Sequence, residues 1–241
     1  VTVCFGIEAR VKHAVSEGLM EARGRPRIVV VDYGSGNVHS VSRALRHAGA
    51  TATISDRASD IDAADAIVFP GVGAAGAAMR ELRRRDLVEP IRDAVKSGRP
   101  FLGVCLGLQV LMTWSDEDDG VECLGIIPGR CVRLPDSVKL PHMGWNQVDL
   151  RRKHRLFDGI PSGENFYFVH SYATVPDREE DIVGETDYGR VFASCLSVGN
   201  VVATQFHPEK SAEAGLQIYR NFTLWATGAM TVPVGAAREL V

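Results

Sequence analysis

The sequence predicts an α/β fold in three layers: a central, mostly parallel sheet with helices on both faces, turning mixed or antiparallel in its C-terminal half. Two textures carry this prediction. Between Arg27 and Gly107, short β-branched apolar runs alternate with amphipathic helical stretches, the pattern of a parallel sheet covered on both sides. After about Gly120 come short strand-like pieces separated by Gly, Pro and charged turns, the pattern of antiparallel pairing. The length of 241 residues, 45% apolar and 24% charged, suits one α/β domain with a sizeable core and excludes disordered, collagenous and fibrous classes.

IVVVDY, from Ile28, is a run of the kind buried on both sheet faces. The turn GSGN follows, then a helix, VHSVSRALRHAG, in which Val38, Val41 and Leu45 recur at helical spacing and Gly49 ends the pattern. TATIS and AIVFP are the second and third strands, helices are expected over Ala75–Leu82 and Leu87–Ser97, and PFLGV is the fourth strand, feeding an apolar helix, LGLQVLM. The later strands are RCVRL, NQVDL, FYFVH, SYATV, RVFASCLSV and VVATQF. A last amphipathic helix over Ala212–Trp225 has Leu216, Tyr219 and Phe222 on its apolar side. The domain is expected over 27–226. Residues 1–26 read as an extension or linker, with a short docking helix over Val11–Met20 as the alternative and a natural start at Met20 also allowed; 227–241 reads as a peripheral tail.

A net charge of −3 with mixed signs offers no basic face for nucleic acid. The five cysteines, Cys4, Cys105, Cys123, Cys131 and Cys195, are odd in number and contain no CxxC pair, which argues against a disulfide framework or zinc site and fits a reducing cytoplasm. No apolar run approaches the ~18 residues of a membrane span, and Glu8, Arg10, Lys12 and Glu17 interrupt what would be the core of a signal peptide. SDEDDG at 115–120 reads as a solvated acidic loop without metal-ligand spacing, so neither metal nor cofactor is expected.

The sharpest local signal is Gly103-Val104-Cys105-Leu106-Gly107, a Gly-x-Cys-x-Gly at a strand-to-helix junction. Flanking glycines remove side chains that would clash in a tight turn, so the sulfur stands clear, and the amide of Leu106 points toward an oxyanion. A helix N-terminus there favours a nucleophilic sulfur. A thiol nucleophile needs a base, and of seven histidines His207 stands out, at the end of VVATQF and followed by Pro208 and Glu209. Pro208 is expected to hold the segment extended, so that Glu209, two residues on, orients the imidazole. Pro70-Gly71-Val72-Gly73 closes another strand with glycines that let backbone amides turn toward a substrate oxygen; a plain tight turn is the alternative. Asp32-Tyr33-Gly34-Ser35-Gly36-Asn37 lacks the third glycine of a dinucleotide loop and any Walker lysine, so no nucleotide site is expected there.

PGVG, GVCLGLQ and TQFHPEKS, in chain order, resemble the triad-type class I glutamine amidotransferases. DYGSGN, PHMGWN at 141–146 and FYFVHSY at 166–172 narrow the resemblance to the glutaminase subunits of imidazole glycerol phosphate synthase, in histidine biosynthesis. The resemblance covers about Arg27 to Ala226. It implies that Cys105 attacks the carboxamide of glutamine, that His207 serves the leaving ammonia and then water, and that Glu209 orients His207. It implies an oxyanion hole from Val72, Gly73 and Leu106, a glutamine site from Gly71, Gln109, His170, Ser171 and Tyr172, and ammonia transfer to a cyclase subunit with a (β/α)8 barrel. Asn37, His142, Met143, Trp145, Asn146 and Lys210 match positions expected near that partner. A glutaminase feeding a different synthase and a silent regulatory module are the competing readings. One departure stands out: Ala74-Ala75-Gly76 follows PGVG where a bulkier residue is expected at the second position.

Overall fold

The computed structural model describes residues 24–34 and 36–228. The expected leader helix over 11–20 and most of the tail lie outside them. In the N-terminal half strands alternate with helices, two of them between the third and fourth strands: β1 (Arg27–Val31), α1 (Val38–His47), β2 (Thr51–Ser55), α2 (Ala58–Ala63), β3 (Ala66–Gly71), α3 (Ala75–Arg84), α4 (Val88–Lys96), β4 (Phe101–Cys105) and α5 (Leu106–Leu111). The short α2 had no periodic signal in the sequence.

The apolar runs are continuous because both faces of each strand are covered. In β1, Ile28 and Val30 enter one core while Val29 and Val31 enter the other; in β3, Ala66 and Val68 divide from Ile67 and Phe69 in the same way. The first core is closed by Val41 and Leu45 of α1 and the second by Met79, Leu82 and Ile91 of α3 and α4. Three layers result.

The C-terminal half continues with β5 (Met112–Ser115), β6 (Val121–Glu122), β7 (Ile127–Arg133), β8 (His142–Leu150), β9 (Glu164–His170), β10 (Tyr172–Pro176), β11 (Ile182–Asp187), β12 (Val191–Val198), β13 (Val201–Thr204) and α6 (Ala212–Ala226). The sheet order is β2-β1-β3-β4-β13-β12-β10-β7-β5-β6. The β1, β2, β3, β4 and β13 contacts are parallel; from β13 to β12 the pairing turns antiparallel, as the change of texture predicted. β8, β9 and β11 form a side branch joined through β12. Ile218, Tyr219 and Phe222 of α6 join the same core as α1.

The helix expected over LGLQVLM stops one residue short, at Leu111, and the chain becomes β5. The carbonyls of Val110, Leu111 and Met112 are taken by the amides of Leu124, Ile126 and Gly125 at 2.8–2.9 Å, so a returning segment replaces the helical bonds. Among the described residues, no helix is long and apolar enough to cross a membrane.

Candidate active site

β4 lies between β3 and β13, parallel to both, with Gly71 opposite Cys105 and Val104 opposite Thr204. Three adjacent strands therefore end at one sheet edge and deliver the PGVG loop, the cysteine and the 205–209 segment side by side. Cys105 has φ +54° and ψ −108°, a conformation L-residues avoid, and it is held there by close packing. A Cβ on Gly107 would lie 1.9 Å from the Phe69 carbonyl oxygen, and one on Gly103 would lie 2.9 Å from Leu111 and 3.0 Å from Ala203. The glycines on either side of the cysteine are thus a steric condition for the elbow.

His207 Nδ1 donates to Glu209 Oε1 at 2.7 Å, with side chains 0% and 1% exposed. The segment between them is not extended as expected. Pro208–Lys210 forms one 3₁₀ turn, closed by Lys210 N–H on the His207 carbonyl at 3.0 Å, and Ser211 Oγ donates to that carbonyl at 2.6 Å. A tight turn therefore brings ring and carboxylate together. Asn37 Nδ2 donates to Glu209 Oε1 at 2.6 Å and Tyr219 Oη to Oε2 at 3.3 Å. Burial raises the Glu209 pKa, but the hydrogen bond and charge of His207 and the Asn37 donor outweigh it, so it falls below the ordinary 4.5. Burial pulls His207 down; Cys105 and Glu209 more than offset this and push it up to about 10. Its Nε2 is buried without a hydrogen-bond partner of normal geometry among the described residues. Cys105 Sγ donates to the Val169 carbonyl at 3.9 Å and accepts from Gln205 Nε2 at 3.7 Å.

The sulfur opens on a cleft of about 400 Å³. Val72, Gly73, Leu106 and Gln109 line one part of it, and His170, Ser171 and Tyr172 another. Gly71, also expected at the substrate site, is not among the lining residues; it is buried at the end of β3, opposite Cys105. Gly73 has φ +98°, a backbone geometry for which glycine is suited. The arrangement suits attack by sulfur on a planar carbonyl carbon, with an imidazole held by a carboxylate to move the proton.

The family model described as "Glutamine amidotransferase class-I" matches residues 29–225. The chain belongs to the class-I glutamine amidotransferase family. Among its relatives, the "Imidazole glycerol phosphate synthase subunit HisH" of Syntrophotalea carbinolica is 48% identical over 202 residues, covering 81% of this chain and 98% of the relative. The protein of the same name from Methanothermobacter thermautotrophicus is 48% identical over 195 residues, 81% and 96% of the two chains. The fold is shared with PurLQS from Thermotoga maritima, at TM-score 0.66 and 19% identity over 83% of this chain and 99% of that one. Another Thermotoga maritima protein, described as a glutamine amidotransferase, aligns at TM-score 0.60 and 14% identity, over 84% and 98%.

In this amidotransferase, the residues expected near a partner divide into two groups. Met143 and Trp145 are 62% and 55% exposed, and Lys210 is exposed at the cleft with Nζ 5.7 Å from the ring of Tyr167, which also meets Trp145 edge-on at 6.2 Å. Asn37 and His142 are 7% and 3% exposed; their polar atoms face Glu209 and His170, so packing turns both inward. Asn146 is half-buried beside His142.

Sequence reasoning missed Gln205, Tyr219 and Glu117. Gln205 is fully buried and accepts from Gln109 Nε2 at 3.1 Å as well as touching the sulfur; a polar amide in an apolar run two residues before His207 was the available signal. Tyr219 was read only as part of an apolar helix face. Glu117 was read within a solvated loop, yet it lines the cleft and accepts the Ala75 amide at 2.7 Å, bringing the acidic loop against Ala75-Gly76.

The buried pair makes a testable contribution to stability. Glu209, lowered, stabilises the fold above 4.5 and loses that effect as pH falls through its folded value; His207, raised, stabilises fully below 6.5 and loses the effect toward about 10. Glu209→Gln is therefore expected to lower Tm by about 5 °C or more at its largest, between pH 4.5 and 6.5, with the gap closing toward pH 10. A Tm difference that stays constant from pH 5 to about 10 would contradict this linkage.

Proposed function

We propose that this chain is the glutaminase subunit of a cytoplasmic imidazole glycerol phosphate synthase, hydrolysing glutamine to glutamate and ammonia and passing the ammonia to a cyclase subunit with a (β/α)8 barrel. The observation that carries the reaction is the strained Cys105, which opens on the cleft at the same sheet edge as the buried His207–Glu209 pair. The choice of synthase is supported by the 48% identity to relatives of that name, matched over 96% and 98% of their lengths.

Glutamine enters with its carboxamide against Cys105. When sulfur attacks the carboxamide carbon, the proton it has given up is held on His207 Nε2, and Glu209 balances the imidazolium. The amides of Val72, Gly73 and Leu106 receive the oxyanion. His207 then protonates the leaving nitrogen, ammonia departs, and a thioester remains. Water attacks the thioester, losing a proton to His207, and glutamate leaves with the thiol restored. Gln109, Gly71 and the 170–172 segment hold the substrate, and Glu117 pairs with its α-ammonium group. Met143, Trp145 and Lys210 meet the cyclase beside the cleft.

Ammonia is largely protonated at neutral pH and then no nucleophile, so uncoupled hydrolysis wastes glutamine. A PGVG loop that reorients a peptide on partner binding would prevent this. Glutamine turnover by the chain alone is expected to be low and to rise about 100-fold with ligand-loaded cyclase, together with formation of imidazole glycerol phosphate. Comparable turnover with and without the cyclase would refute the coupling, and turnover without that product would refute the choice of synthase.

A further inference from the structure

Pairing of β8 with β9 places His142 opposite His170, and neither belongs to the nucleophile, base and carboxylate set. Three hydrogen bonds run through them. Asn146 Nδ2 is 3.3 Å from His142 Nε2, His142 Nδ1 is 2.9 Å from His170 Nε2, and His170 Nδ1 is 2.8 Å from the Tyr172 carbonyl oxygen.

The direction of the chain is set independently at each end. A carbonyl only accepts, so His170 carries its proton on Nδ1, which leaves Nε2 to accept from His142 Nδ1–H. At the other end the Asn146 side-chain oxygen accepts the Gln147 amide at 2.8 Å, and its nitrogen donates to the Asp187 carbonyl at 2.9 Å. The second N–H of that nitrogen is the one that meets His142 Nε2. Both ends require the same state: two neutral imidazoles, each protonated on Nδ1. A further proton on His170 Nε2 would set N–H against N–H, and one on His142 Nε2 would break the link to Asn146.

The surroundings hold that state. His142 is stacked between the rings of Tyr188, at 3.9 Å, and Phe168, at 4.9 Å, and the two histidines are 3% and 6% exposed. Burial pushes His142 down to about 4 and His170 to about 3.

The inner end is where this network meets the cleft. The Tyr172 carbonyl that accepts from His170 also accepts Gln109 Nε2 at 3.0 Å. Gln109 reaches Gln205 at 3.1 Å, and Gln205 contacts Cys105 Sγ at 3.7 Å. One carbonyl thus joins the histidine chain to the side chains around the nucleophile. We propose that His142 and His170 are positioning residues for the amide substrate, fixing the 170–172 backbone at the cleft wall and through it the placement of Gln109 beside Cys105. This rests on the glutaminase reading of the cleft.

The protonation pattern is directly measurable. In ¹⁵N-histidine-labelled full-length chain at neutral pH, long-range nitrogen–proton correlation should show His142 and His170 neutral with the proton on Nδ1; an Nε2–H tautomer or a cation at either ring overturns the proposal. The functional arm compares two variants with the cyclase partner present. His142→Phe keeps a ring between Tyr188 and Phe168 but leaves His170 Nε2 without its donor. His142→Asn loses the stacking and restores an N–H where Nδ1–H stood. Glutamine KM is expected to rise about tenfold in His142→Phe, the scale of one lost buried hydrogen bond, with kcat changed less than KM and with KM near wild type in His142→Asn. An unchanged KM in His142→Phe, or equal increases in both variants, overturns the proposal. If His142→Phe does not fold, the tautomers and the KM of His142→Asn decide. Failure of the glutaminase reading has a different signature, glutamine turnover that survives Cys105→Ala in the same assay.

Discussion

Cys105→Ala is expected to reduce glutamine-dependent product formation by the synthase by about 10⁴-fold or more, the scale seen when a covalent nucleophile is removed, while leaving synthesis from added ammonium salt intact. The contrast between the two nitrogen sources is what gives the experiment its force. Cys105 stands at the end of β4, 5% exposed, and an alanine there removes only the sulfur and its contacts with Val169 and Gln205. The elbow's backbone is held by Gly103 and Gly107, which the substitution leaves alone. The fold and the partner-facing surface are therefore expected to survive, and ammonia supplied from solution bypasses the missing step. Glutamine turnover persisting in the variant would remove Cys105 from the chemistry. Loss of both activities would mean that the residue supports assembly rather than catalysis.

Gly107→Ala is expected to cost about 3 kcal/mol or more of stability. The added Cβ would stand 1.9 Å from the Phe69 carbonyl oxygen, and that atom belongs to the backbone of a central strand with no side-chain rotation to relieve the clash. α5 must then move off β3. Cys105 starts that helix in a strained conformation, so the same displacement carries the sulfur away from His207. Chemical denaturation should show a lower midpoint, and the folded fraction should have lost glutaminase activity. A variant with wild-type midpoint and activity would show that the elbow tolerates more separation from β3 than its packing implies.

The two variants probe features of different legibility. The elbow was readable because its requirements fall on five consecutive residues, Gly103 to Gly107, and each glycine answers a clash within a few ångströms. The histidine and its carboxylate were readable for the same reason, although the turn between them was not: whether Pro208 begins an extended segment or a 3₁₀ turn depends on Ser211 and on β9, whose Tyr167 carbonyl accepts the His207 amide at 2.9 Å. The early strands were readable from β-branched runs, and the change to antiparallel pairing from the loss of helical spacing. The end of α5 was not, because the bonds that stop it come from residues 124–126.

Long-range partners were the least visible. Asn37 lies 172 residues before Glu209, and nothing in DYGSGN marks its amide for a carboxylate. Glu117 reads like its acidic neighbours until α3 is placed beside it. By itself, the sequence determined the α/β class, the strained cysteine elbow and the pairing of an imidazole with a carboxylate, since these follow from what neighbouring residues permit the backbone to do. Only the tertiary structure decided that Asn37 and Tyr219 complete the carboxylate's hydrogen bonds, that Glu117 borders the cleft and that two histidines form a hydrogen-bonded chain toward the carbonyl that holds Gln109. Those contacts join residues that become neighbours only when the strands have chosen their order and register, a choice made by burial over the whole sheet and not by any local segment.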